Sequence, residues 1–87
     1  MTDDVLARVL EILAGLAGPE RTPANAGAAT PLAEGGFWLD SAAQLEAVLA
    51  CEEAFGVALD VTVDLAEREP VTAGRLAAAI RRRRARG

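Results

Sequence analysis

Apolar positions recur with helical spacing in three stretches of the 87-residue chain. In residues 3–16, Val5, Leu6, Val9, Ile12, Leu13 and Leu16 fall on one stripe, with Asp3, Asp4, Arg8 and Glu11 away from it. That is the signature of an amphipathic helix with one face turned to a core. Thr2 or Asp3 can cap its start, and Gly15, Gly18 and Pro19 end it. Residues 41–55 predict a second helix, opened by Asp40-Ser41 and closed by Gly56 in a left-handed cap. Its apolar stripe reads as Leu45, Val48, Leu49 and Phe55; Glu46 and Glu53 project away, and Glu52 lies nearer the edge. Residues 72–85 predict a last helix, with Thr72 as cap, Leu76, Ala77 and Ile80 inward, and Arg81–Arg84 in the final turn.

The intervals are irregular. Residues 17–36 carry three Pro and four Gly with no periodicity, which predicts a flexible loop, long for so small a domain. Phe37 and Leu39 are apolar enough to pin its end to a core. Val57, Leu59, Val61 and Val63 alternate as in a strand, but a lone strand has no partner to pair with. An extended linker followed by a short helix near 64–69, stopped by Pro70, is the better reading. The expected fold is therefore all-α. It is a small four-helix bundle of three main helices and one short helix, with a long loop between helices one and two.

Length and composition narrow the chemistry. At 87 residues the chain makes a single domain, 1–87. It has no His and one Cys, so an internal disulfide, a Cys/His zinc cluster and imidazole acid–base catalysis are all excluded. No metal set and no Gly-rich phosphate loop is visible, the acids are spread over solvated faces, and no enzyme is expected. No run of 18 apolar residues spans a membrane, and the acidic start is the opposite of a secretory signal, so a cytoplasmic location is expected. All nine basic residues are Arg. Residues 1–80 hold 13 acids against four Arg, a net of −9, and residues 81–87 hold the other five Arg as a basic tail. An acidic body favours basic partners and repels nucleic acid and anionic membranes.

The stretch Phe37-Trp38-Leu39-Asp40-Ser41 places a hydroxyl at the exposed start of a helix, preceded by an acid. By its chemistry alone this is an ordinary helix cap. A hydroxyl there is also reachable, and it lies at the positive end of the helix, which favours a phosphodiester on the Ser oxygen.

These residues belong to a longer pattern. Asp40-Ser41 is followed by Leu45-Glu46 and then by Glu52-Glu53-Ala54-Phe55-Gly56. Downstream stands Thr72-Ala73-Gly74-Arg75-Leu76. Together they resemble the acyl carrier protein family, over roughly residues 3–80. The resemblance implies a four-helix bundle whose Ser41 carries covalent 4′-phosphopantetheine, installed from coenzyme A and Mg²⁺ by a phosphopantetheinyl transferase. The terminal thiol of the arm then holds acyl groups as thioesters. Asp40 would help the transferase engage, and Glu46, Glu52 and Glu53 would face basic docking patches on the loading enzyme and on downstream synthases or transferases. Leu39-Asp40-Ser41 leans toward the acyl or polyketide type, so the family reading is a discrete carrier of a natural-product pathway, monomeric in solution. Free-standing peptidyl or aminoacyl carriers share the fold and the arm, and an unmodified carrier-like interaction module is the remaining alternative.

The chain departs from the family at several positions. Ala42 stands where a large apolar residue usually follows the Ser and touches the transferase and partners. Ala43 stands at an often acidic position. Trp38 stands where the family often has Gly; it is either a core aromatic covering the loop or a half-exposed contact beside the arm. Cys51 reads as a small buried apolar side chain, not as the thiol that holds cargo. Arg81–Arg84 and Arg86 complement the dipole of the last helix, and without aromatic neighbours they are a poor nucleic-acid footprint.

Overall fold

The computed structural model describes residues 4–59 and 71–85. Among them are three helices and no strand: α1 at Asp4–Ala17, α2 at Ser41–Phe55 and α3 at Ala73–Ala85. The short helix expected near 64–69, and most of the alternating stretch before it, lie outside the described residues. Each of the three helices packs against the other two.

The helices form where local chemistry places them. Asp4 sits in the first turn of α1, where the dipole favours an acid, and the helix closes as the Gly18 N–H donates to the Ala14 carbonyl at 2.9 Å. In α2 the Asp40 carboxylate caps the start and Gly56, at φ 65°, ends it in a left-handed conformation. In α3 the Thr72 hydroxyl accepts from the Arg75 N–H at 3.3 Å, the cap read from sequence.

The inward faces come together as one core. Val5, Val9 and Leu13 enter it from α1, Ala47, Val48 and Cys51 from α2, and Ala73, Leu76, Ala77, Ala79 and Ile80 from α3. Leu6 and Ile12 pack at its edge, and Leu16, expected on the α1 stripe, is exposed. The α2 face needs a larger correction. Of its expected stripe only Val48 is fully inside; Leu45 and Leu49 are 53% and 54% exposed. Ala47 and Cys51, both at 0%, take the inward positions instead. Small side chains thus fill the inward positions of α2, and the larger leucines are turned outward.

Residues 18–40 connect α1 to α2 through turns, and the middle of this connection, residues 28–32, is fastened to the start of α3. The Leu32 N–H donates to the Val71 carbonyl at 2.9 Å, the Ala73 N–H to Thr30 at 3.0 Å and the Gly74 N–H to Ala28 at 2.8 Å. An isolated antiparallel bridge pairs Pro31 with Thr72. Gly74 is required by this close approach, because a Cβ there would stand 2.8 Å from the Ala28 carbonyl oxygen. Leu32, Phe37 and Leu39 drop into the core from the same segment, as expected for the last two. At the far end of the bundle the Arg84 guanidinium lies 5.8 Å from the centroid of the Phe55 ring, so one residue of the basic run ties α3 to the end of α2.

Candidate functional site

The site is the junction between the fastened loop and α2. Three backbone hydrogen bonds shape it: Phe37 N–H to Pro31 carbonyl at 3.0 Å, Trp38 N–H to Ala33 at 2.9 Å, and Leu39 N–H to Leu32 at 2.9 Å. The Gln44 side-chain amide closes the set by donating to the Leu39 carbonyl at 2.9 Å. Phe37 and Leu39 are thereby held inward at 0% and 4% exposure, and Trp38 between them is turned out at 55%. Of the two readings left open for Trp38, the core aromatic is excluded. Its φ of 58° makes it the one positive-φ residue other than glycine among the described residues.

Asp40 is the N-cap, its Oδ1 accepting from the Ala43 N–H at 2.8 Å. The capping oxygen therefore belongs to Asp40 and not to Ser41. Ser41 is the first residue of α2 and is exposed, as are Asp40 and Ala42 beside it. The amides of Ser41 and Ala42 point along the helix axis with no acceptor one turn back. A phosphate on the Ser41 oxygen would meet these two donors and the positive end of the helix.

The three acids assigned to recognition separate. Glu46 and Glu53 are exposed on α2. Glu52 is half-buried, and its Oε2 accepts from the Leu59 N–H at 2.7 Å, so this carboxylate holds the chain that leaves α2. Leu45 and Leu49 were missed as surface residues. With Ala42 they form an i, i+3, i+7 series, and the competing small-residue face of Ala47 and Cys51 was the signal that pointed them outward.

Cys51 is buried in α2, and desolvation pushes its thiol up from 9.0 to about 11, against a smaller opposing pull from Arg8. It is held as a neutral thiol and a packing group. A shallow groove of about 300 Å³ lies between α1 and α2, lined by Arg8, Ile12, Ala50, Glu53 and Ala54. Among the described residues no cluster of acids and Cys is arranged to hold a metal ion, and no helix is long and apolar enough to cross a membrane. Compared with family models, curated proteins and solved structures, the chain finds no match.

Proposed function

We propose that this chain is a discrete acyl carrier protein that holds biosynthetic intermediates as thioesters on a 4′-phosphopantetheine arm attached to Ser41. The observation that carries the reading is the extent of the motif. Its first part, Asp40 to Gly56, runs from one cap of a single helix to the other, and Ser41 is the exposed first residue of that helix. The resemblance in sequence therefore coincides with one structural unit that presents a hydroxyl.

The residues around Ser41 fit the group. Asp40 secures the helix start without using the hydroxyl, and the first amides of the helix, left without intrahelical acceptors, would favour a phosphodiester there. Ser41 Oγ would gain the phosphopantetheinyl group as the pyrophosphate bond of coenzyme A breaks. Adenosine 3′,5′-bisphosphate then leaves, and the hydroxyl proton passes to the transferase. The bound arm supplies a thiol for thioester chemistry. Glu46 and Glu53, with Asp40, give basic partners a charge to find; exposed charges of this kind speed encounter more than they add affinity.

The loaded form tests this directly. A broad-specificity phosphopantetheinyl transferase given acetyl-coenzyme A and Mg²⁺ is expected to add one acetyl-phosphopantetheinyl group. Hydroxylamine is then expected to remove the acetyl mass and leave the arm. An adduct that resists hydroxylamine, or no adduct on the folded protein, would contradict the carrier reading.

A further inference from the structure

Trp38 is the one large apolar side chain that the loop turns away from the core. Phe37 and Leu39 on either side are buried, and Trp38 is 55% exposed. Its backbone stands at φ 58°, a conformation that is costly for a bulky residue. Glycine would meet the same φ without strain and leave no ring in water. The Phe37, Trp38 and Leu39 N–H groups, donating to the Pro31, Ala33 and Leu32 carbonyls, hold that backbone in place. An indole is thus presented to solvent at a fixed point of the loop where the backbone alone favours glycine.

Ser41 lies within reach of this ring. Three residues of chain separate the two, so their Cα atoms are no more than about 11 Å apart. A flexible group attached to Ser41 would stay tethered beside the indole. Tethering over a short flexible span gives an effective concentration of roughly millimolar order. A single ring contact is then enough to hold the tethered group, whereas a free partner needs far more surface than one indole.

We propose, taking Ser41 as the modified residue, that Trp38 holds the root of the phosphopantetheine arm, its indole packing on the pantoate segment next to the phosphate. That segment carries two methyl groups on a quaternary carbon, followed by a hydroxyl and an amide. The indole offers a flat apolar face with one N–H at its edge, which suits a methyl-bearing chain with polar groups beside it. Trp38 is a positioning residue: it confines the arm where it leaves Ser41 and leaves the thiol end free to reach partner enzymes.

The full chain is compared before and after modification by a broad-specificity phosphopantetheinyl transferase with Mg²⁺ and coenzyme A isotope-labelled in the two pantoate methyl groups. In modified wild type both methyl NMR signals are expected upfield of their positions in modified Trp38→Gly, with through-space contacts to the indole protons. Modified Trp38→Phe is expected to keep an upfield displacement, because it keeps a ring. Trp38 is the only tryptophan and the chain has no tyrosine, so its fluorescence reports on this ring alone. Acrylamide quenching is expected to fall roughly twofold on modification, as one face of the ring is covered. Ser41→Ala treated in the same way is expected to show no change. One mass increment without the methyl–indole contacts in wild type would overturn the proposal, whether or not Trp38→Gly folds, and would leave the carrier reading standing. A quenching change that appears only once the arm is acetylated would assign the ring to cargo and overturn it too. Quenching that falls with protein concentration in the unmodified chain would give the ring to a second copy, with the same consequence. No increment on folded wild type would instead remove Ser41 as the attachment point, and this contact with it.

Discussion

Asp40 and Ser41 are adjacent and exposed but carry different loads. Asp40 closes the helix start through Ala43, so Asp40→Ala should cost about 1 kcal/mol of stability in urea unfolding. Ser41 is no cap, and Ser41→Ala should stay within roughly 0.5 kcal/mol of wild type in the same measurement. A stability loss on Ser41→Ala equal to that of Asp40→Ala would contradict this division. Cys51 tests burial by pH. Its thiol is raised from 9.0 to about 11 in the folded chain, so at pH 8 a thiol reagent should label it only after unfolding. The unfolded thiol ionises first, so stability should fall as pH climbs through the window from 9.0 to about 11. Rapid labelling of the native protein would refute the buried placement. The caps at Asp40, Thr72 and Gly56 were legible in sequence because capping involves only residues a few positions apart. The placement of Trp38 was not, because it depends on hydrogen bonds to Ala33 and Leu32, which no local pattern announces.

At the scale of elements, α1 and α3 present faces that periodicity reads well, since Val5, Val9, Leu13, Leu76, Ala77 and Ile80 are all buried. In α2 the same rule chose the wrong leucines. Hydrophobicity alone favours Leu over Ala and Cys, whereas the space available inside the bundle also decides, and the smaller Ala47 and Cys51 occupy it. A pair of substitutions checks the outcome. Val48→Ala should cost roughly 2 kcal/mol, and Leu49→Ala less than about 0.5 kcal/mol, by urea unfolding. Equal costs would mean that α2 is rotated from the orientation described. The contact between the first loop and α3 is a second element-scale feature. Gly74→Ala would force a Cβ against the Ala28 carbonyl, and a loss of about 1–3 kcal/mol is expected. An unchanged unfolding midpoint would contradict that contact. The Thr72-x-Gly74 pattern was visible in sequence, but its partner Ala28 was not, because it comes from a stretch without periodicity.

Across the whole molecule, the small core, the fastened loop and the caps of α2 have one common product, a hydroxyl fixed at an exposed helix start. Glu46 and the apolar series beside it are exposed along α2 from that start, and Arg84 of the basic run is turned to Phe55 at the opposite end. Under the proposed function, this organisation would present one attached group to successive enzymes. The central claim is the identity of Ser41 as the attachment point. The most direct measurement is the intact mass of wild type and Ser41→Ala after incubation with coenzyme A, Mg²⁺ and a broad-specificity phosphopantetheinyl transferase, with folding followed by circular dichroism. The account predicts one phosphopantetheinyl increment on wild type and none on a folded Ser41→Ala. A folded wild type without the increment, or an increment that persists in Ser41→Ala, would contradict it.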